Sequence, residues 1–248
     1  MTLTALPRAF GALTLVFALA ACGDSTTGAN SDGETATPAG GLDAPTTAVS
    51  DTTSPAVEAG VYAIDPVHSE VGFRVRHLGI SNVDGTLSDV AGTLTLGAGG
   101  LASMQTEATI QATSIDTEND QRDNHLRSAD FFDVEQFPTL TFRSTRVEPT
   151  GAGRFRMTGD LTMHGVTRPI TLEGEYAGLV TDGMGNRKVG FMAEGTLNRS
   201  EFGLNWNQAL ETGGVVVSDE VRLTLEIQAA LQAEEAAAAD STAAPAGA

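Results

Sequence analysis

Histidines close to carboxylates are the residues of this sequence that could catalyse a reaction. His68 follows Asp65 by three positions, and His125 stands between Asp123 and Asp130. A histidine within hydrogen-bond reach of a carboxylate forms a general acid–base couple, which would suit a hydrolase. No G-x-S-x-G turn, H-E-x-x-H helix or cysteine beyond position 22 accompanies these pairs. We therefore predict that the protein is not an enzyme, with a small-molecule hydrolase as the minor alternative.

Metal coordination is the other chemistry that the histidines invite. They stand at positions 68, 77, 125 and 164, and no two of them are two or four residues apart. Short ligand spacings are typical of metal sites, and the sequence after position 22 offers no cysteine ligand. Local hydrogen bonds explain each histidine better, and a structural ion pair explains Arg199 beside Glu201. We expect neither a metal nor any other cofactor.

The only cysteine, Cys22, lies where an export signal would end. Arg8 precedes an apolar stretch over residues 10–20, which is too short for a stop-transfer helix and is typical of a signal peptide. The stretch ends in Leu-Ala-Ala before Cys22, which resembles the lipobox of bacterial lipoproteins. This resemblance implies that residues 1–21 are removed and Cys22 is acylated. The exported protein would then be anchored to a bacterial envelope membrane on its periplasmic or extracytoplasmic side.

Polar segments flank the rest of the sequence. Residues 22–60 hold six acidic residues, many Ser, Thr, Gly, Ala and Pro, and no Lys, Arg or aromatic residue. Such a segment cannot bury enough apolar surface to offset its ordering entropy, so we predict a disordered linker there and a disordered Ala-rich tail over 229–248. The net charge of the chain is −18. Because phosphate backbones are bound through basic patches, this charge excludes nucleic acid as a partner.

Apolar residues alternate with polar ones through much of 61–228. Such alternation predicts strands with one buried and one solvated face. The candidate strands, separated by Gly-rich turns, cover 70–77, 83–96, 104–112, 139–147, 154–163, 168–180, 187–198 and 221–228. About eight strands joined by short turns predict one all-β domain, an antiparallel barrel or sandwich. Whether its interior is filled stays undecided, since the alternation fits a packed core as well as a barrel with a ligand cavity.

Residues 116–133 interrupt this pattern with a polar segment. Thr117 is placed to cap a short helix, and Ser128 a second turn that carries Phe131 and Phe132 inward. We predict one or two short helices across the mouth of the β domain.

Seven short motifs occur in a fixed order along 61–228. They are Tyr62-Ala-Ile-Asp-Pro-Val-His-Ser69, Val71-Gly-Phe-Arg-Val-Arg-His77, Ser114-Ile-Asp-Thr117, Asp123-Asn-His-Leu-Arg-Ser-Ala-Asp-Phe-Phe-Asp133, Phe137-Pro-Thr-Leu-Thr-Phe142, Gly159-Asp-Leu-Thr-Met-His-Gly-Val-Thr167 and Asn198-Arg-Ser-Glu-Phe-Gly203. Together they resemble the YceI-like family, also described as a lipid- or polyisoprenoid-binding family. The order and spacing of the motifs are more specific than any one of them alone.

The resemblance implies a lipocalin-like antiparallel barrel whose apolar interior binds a long-chain lipid, such as a polyisoprenoid, an isoprenoid quinone or a fatty amide. It implies no chemistry on that lipid, which the protein would sequester or transfer in the cell envelope. The resemblance does not fix the oligomeric state, and a homodimer is one candidate assembly. The alternative function is an interaction module for another envelope protein, with a barrel that is packed solid.

Two sets of residues are predicted to contact the lipid. The interior set lies along the tail and comprises Phe73, Val75, His77, Phe131, Phe132, Phe142, Phe191 and Trp206. The head-group set, near the helical insertion, comprises Arg76, Arg122, His125 and Arg127. An arginine fork there would suit a pyrophosphate, whereas a quinone would need only single donors.

Overall fold

The computed structural model describes residues 57–211 and 213–232 of the chain. The predicted signal peptide, Cys22 and most of the predicted linker (22–60) and tail (229–248) lie outside these ranges. The prediction of a disordered tail is wrong at residues 229–231, which belong to the last strand and pair with the first. The strands are β1 Gly60–Ile64, β2 Glu70–His77, β3 Ser81–Leu87, β4 Val90–Gly97, β5 Gly100–Gln111, β6 Ile115–Asp116, β7 Thr139–Gly151, β8 Arg154–Met163, β9 Val166–Thr181, β10 Arg187–Asn198 and β11 Val217–Leu231. Helix α1 covers Asp120–Arg127, and short 3-10 helices cover Ala112–Ser114 and Arg199–Phe202.

These strands close into a barrel with eight antiparallel members. β1 and β2 both pair with β11, so together they form one barrel strand with an interruption. In the same way β3 and β4 together form a second barrel strand, and β5 and β6 a third. β7 to β11 complete the wall, and the pairing of Tyr62 with Leu231 closes it. Each member follows its neighbour in the chain, so the topology is up-and-down. The fold is therefore a barrel and not a sandwich, with the eight strands that the alternation predicts.

Strand boundaries follow the alternation closely where the strands are regular. The predicted strands 154–163 and 187–198 coincide with β8 and β10. The predicted strand 83–96 is instead broken at Ser88–Asp89, between β3 and β4. The partner hairpin arm is broken as well, between β1 and β2. A break in both arms lets the hairpin bend as the barrel closes, which a count of apolar residues does not reveal.

The alternating residues of β8 show what holds the barrel together. Phe155, Met157 and Leu161 point inward and are buried, whereas Arg154 and Arg156 are exposed. Outside, the charged residues form cross-strand pairs such as Arg156 Nε with Glu173 Oε1 at 2.7 Å. Because both partners of that pair are about half exposed, it contributes little to stability. Burial of the inward side chains is therefore the main source of stability.

Helix α1 lies at the mouth of the barrel, in the connection that leaves β5 at Gln111 and enters β7 at Thr139. Its N-cap is Asn119, whose side chain accepts a hydrogen bond from the Arg122 amide at 3.0 Å. The prediction that Thr117 is the cap is wrong, because both its amide and its hydroxyl donate to the buried carboxylate of Asp123. The second predicted helix is a series of turns after Ser128. None of the described helices is long and apolar enough to cross a membrane.

Asp65 anchors the interruption between β1 and β2. Its carboxylate accepts hydrogen bonds from the Val67 amide at 3.0 Å and Gln228 Nε2 at 2.9 Å, and it lies 2.9 Å from His68 Nδ1. Burial raises the pKa of Asp65, but the hydrogen bonds from His68, Val67 and Gln228 outweigh burial and lower the pKa to about 2. His68 is therefore part of a structural turn.

We expect Asp65→Asn to reduce the dependence of the free energy of unfolding on pH under acidic conditions. The folded-state pKa of Asp65 lies below its ordinary value of 3.8, so the ionised carboxylate stabilises the fold above pH 4. This contribution is lost as the pH falls from about 4 to about 2. Urea denaturation across this range should show a steeper loss of stability in the wild type than in Asp65→Asn. Equal slopes would mean that the turn does not depend on the charge.

Candidate functional site

The interior of the barrel contains a cavity of about 200 Å³. This volume exceeds the roughly 150 Å³ of an engineered apolar protein cavity that binds benzene. Phe155 and Met163 both line the cavity and stand eight residues apart on β8. At about 3.3 Å per residue, they are separated by about 26 Å along the strand, or about 20 Å along the axis of a barrel with typical strand tilt. The cavity is therefore narrow and elongated, a shape that suits a chain.

Six of the eight residues predicted for the interior line this cavity. They are Phe73, Val75, Phe131, Phe132, Phe142 and Phe191. His77 and Trp206 do not line it. Trp206 instead packs at the mouth, with its ring 5.0 Å from His125 and 5.2 Å from Phe131. Contact of all eight residues with a ligand stays a prediction.

The cationic residues predicted for the head group are largely engaged with the protein itself. Arg122 donates from Nε to Thr117 Oγ1 and from Nη2 to the Thr117 carbonyl, both at 2.7 Å. Arg127 donates from Nε to the Thr113 carbonyl at 3.0 Å and from Nη2 to the Ile115 carbonyl. These arginines tie α1 to the chain that precedes it. Such bonds leave them few donors for a head group.

The two other predicted head-group residues, His125 and Arg76, lie on α1 and β2. His125 Nε2 is 2.9 Å from Asp130 Oδ2, and the histidine ring packs edge-on against Phe131 and Trp206. Arg76 is exposed on β2. A head-group role for these four residues stays a prediction.

Two polar side chains, Arg199 and Thr106, line the cavity among its apolar residues. Arg199 is 4% exposed, and it donates to the carbonyls of Leu204, Trp206 and Ser218 at 2.7–2.9 Å. Its ion-pair partner is Asp219 at 3.2 Å. The expected pair with Glu201 is wrong, because the side chain turns toward the loop and the start of β11. The alternation along β5 predicts that Thr106 faces the interior, but it does not predict a polar role for this residue.

Glycines on the barrel wall make room for the phenyl rings that shape the cavity. A methyl group added at Gly85 would overlap the Phe73 ring, and one added at Gly174 would overlap the Phe155 ring. Both pairs are cross-strand neighbours, Phe73 with Gly85 and Phe155 with Gly174. Each ring therefore lies flat over a glycine of the adjacent strand. A side chain in place of the glycine would push the ring toward the centre of the barrel.

We expect Gly174→Ala to destabilise the protein by about 1–3 kcal/mol, because the Phe155 ring must leave its place over the glycine. The matched control is Gly183→Ala in the β9–β10 hairpin, where an added methyl group meets nothing within 4 Å. That change should stay within about 0.5 kcal/mol. Urea denaturation of both variants checks the expectation. Equal stabilities would show that the ring adjusts freely.

The fold and its interior define a closed, up-and-down β-barrel with an elongated apolar cavity. The family model of the YceI-like domain matches residues 62–229, which reach from β1 to β11. The chain therefore belongs to the YceI-like family, and this confirms the resemblance of the seven motifs.

Two curated proteins illustrate the relationship. A UPF0312 protein of Staphylococcus epidermidis is 40% identical over 162 residues, which are 65% of this chain and 92% of that protein. Protein YceI of Escherichia coli O6:H1 is 42% identical over 148 residues, which are 59% of this chain and 77% of that protein.

Solved structures share the fold. The YCEI protein of Campylobacter jejuni aligns with a TM-score of 0.55 and 32% identity over 63% of this chain and 90% of its own. A polyisoprenoid binding domain from Saccharophagus degradans, implicated in plant cell wall breakdown, aligns with a TM-score of 0.51 over 71% of this chain and 100% of its own. At 13% identity, the second likeness concerns the fold alone.

Proposed function

We propose that this protein binds the tail of a long-chain apolar lipid inside its barrel and holds or transfers that lipid without altering it. The elongated cavity, lined almost wholly by aliphatic and aromatic side chains, is the observation that carries the proposal. An isoprenoid or polymethylene chain neither donates nor accepts hydrogen bonds, so such a lining suffices for it. The polyisoprenoid binding domain of Saccharophagus degradans supports the same class of ligand.

Burial of the tail would supply the binding free energy. Apolar surface removed from water contributes about 25 cal/mol per Å², against which the ligand loses the freedom of its torsions. A polyisoprenoid, an isoprenoid quinone or a fatty amide would each satisfy this condition. The proposed ligand is one of these three classes.

We place this activity in the cell envelope. The lipobox-like sequence before Cys22 and the polar segment after it support a tethered, exported protein. A flexible linker of about 38 residues would have an average span of about 30–35 Å, which limits how far the barrel reaches from its membrane. Transfer would then take place close to that membrane.

The alternative is an interaction module for another envelope protein. This function needs no cavity, and interiors of that kind are normally filled to close packing. An elongated cavity of about 200 Å³ therefore favours the ligand-binding function.

The proposal is tested by purifying the full chain with Cys22→Ser, which removes the predicted acylation site, in the absence of detergent. Native mass spectrometry, followed by mass spectrometry of an organic extract, should reveal a stoichiometric long-chain lipid that denaturation releases. A ligand-free mass, together with no uptake of added prenyl lipid or quinone, would contradict the proposal and favour the interaction module.

A further inference from the structure

The barrel wall is incomplete between β5 and β7. Their ladder ends at the pair Glu107–Arg143, although β5 extends back to Gly100 and β7 continues to Gly151. Past this point, the Thr106 amide donates to the Ser144 hydroxyl at 2.8 Å instead of to a main-chain carbonyl. We call this gap, bounded by residues 102–107 and 143–147, the β5–β7 seam. It holds a groove of about 480 Å³.

A bulge in β7 explains why the strands separate. In the pairing of β7 with β8, Ser144 is opposite Gly159 and Arg146 is opposite Thr158, so Thr145 is an extra residue. A bulge bends its strand and increases the local twist. β7 therefore follows β8 away from β5 beyond Ser144.

The groove of the seam and the interior cavity share part of their lining. Met104 and Thr106 border both spaces. Ser144 borders the groove beside them. A lipid with its tail in the cavity can therefore place a polar end in the seam.

Thr106 carries unused hydrogen-bonding capacity at this boundary. Of the two polar side chains that line the cavity, Arg199 is occupied by main-chain carbonyls and Asp219. Thr106 Oγ1 is buried and has no hydrogen-bond partner among residues 57–211 and 213–232. Ser144 Oγ accepts from the Thr106 amide and so lies at the same boundary, where its hydroxyl also carries a proton. Both hydroxyls can donate to an acceptor between them, and a buried hydroxyl without a partner is costly.

The charges around the seam favour an uncharged acceptor. Arg143 lies 3.3 Å from Glu107, and Arg146 lies 2.7 Å from Glu148. Each guanidinium is therefore paired with a carboxylate of its own. A pyrophosphate would have to compete with these carboxylates, whereas a carbonyl oxygen needs only the hydroxyl donors.

We propose that Thr106 and Ser144 form a head-group subsite in the β5–β7 seam, which binds the carbonyl oxygen of an uncharged lipid head such as a ketone, quinone or amide. The inference rests on the proposed function, since the tail must occupy the cavity. It places the head in the wall of the barrel, away from the helical insertion, with the tail directed toward Phe131 beneath α1.

The test compares two probes on the full chain with Cys22→Ser. Farnesylacetone is an isoprenoid methyl ketone, and β-farnesene is an isoprenoid hydrocarbon. Partition of each probe between the protein and a cyclodextrin, quantified by gas chromatography, yields its affinity. Thr106→Val, which keeps the shape and removes the hydroxyl, should weaken binding of farnesylacetone about fivefold and leave β-farnesene within twofold. Ser144→Ala should also weaken binding of farnesylacetone more than binding of β-farnesene. It replaces Thr106→Val in the test if that variant does not fold.

Thr109→Val is the matched control, because Thr109 stands on the same strand but on its outer face and borders neither space. It should leave both affinities unchanged. Equal changes for both probes, or no change for farnesylacetone, in the Thr106 and Ser144 variants would overturn the subsite while the lipid-binding function stands. If the unsubstituted barrel binds neither probe, the proposed function fails and the subsite with it.

Discussion

Replacing Arg199 with alanine is expected to lower the free energy of unfolding by about 3–5 kcal/mol. Its guanidinium holds the carbonyls of Leu204 and Trp206, in the loop after β10, against the Ser218 carbonyl at the start of β11. Burial lowers the pKa of Arg199, which the Asp219 carboxylate opposes. Alanine would leave these carbonyls without a donor beside an apolar cavity, and each buried unsatisfied group costs about 1–3 kcal/mol.

Asp219→Asn is the control that separates the carbonyl contacts from the ion pair. The Asp219 side chain is 55% exposed, so its loss should cost less than about 1 kcal/mol. Chemical denaturation of both variants measures the difference. Comparable losses in the two variants would show that the ion pair, and not the three carbonyl contacts, dominates at Arg199.

Phe142→Arg is expected to reduce lipid loading at least about a hundredfold. The Phe142 ring lines the cavity and packs against Gly159 on β8. A guanidinium in its place would lie in the apolar interior, and a bound lipid tail would remove it from any remaining water. The penalty for burying a charge without a partner is several kcal/mol, and each 1.4 kcal/mol corresponds to tenfold in affinity.

The control for this substitution is Thr141→Arg, which introduces the same charge one residue away on the exposed outer face of β7. It should retain full loading. Circular dichroism establishes whether each variant is folded, and native mass spectrometry measures the bound lipid. A folded Phe142→Arg variant with an unchanged lipid load would remove Phe142 from the binding site.

The eight-stranded architecture could be predicted because strand alternation is a local property. The buried residues of β8 and β10 are apolar or glycine, and their outward neighbours, apart from the exposed Met192, are polar or small, so the boundaries of these strands follow from the sequence. The break between β3 and β4 could not be predicted in this way. It depends on how far a hairpin must bend to close a barrel, which no single strand encodes.

The interior of the site was partly predictable for the same reason. Phe73, Phe142 and Phe191 fall on the apolar phase of their strands, and the structure places all three on the cavity. The roles of the polar residues were harder to predict. Arg122 and Arg127 resemble ligand-binding cations in a sequence, but here they hold carbonyls of the chain before α1. Because every residue has a main-chain carbonyl, the sequence does not indicate which carbonyls an arginine will bind.

The sequence is thus sufficient to predict the alternating strands, the polar insertion and membership of the YceI-like family. These features depend on residue types and on short spacings. Tertiary structure decided that the interior is hollow, because phenyl rings lie over glycines of neighbouring strands. It also decided that β5 and β7 separate at Ser144. This brings the Thr106 hydroxyl, which has no hydrogen-bond partner in the described part of the chain, to the boundary between cavity and surface. Both outcomes depend on which strands become neighbours and on their register, and these are properties of the closed barrel as a whole.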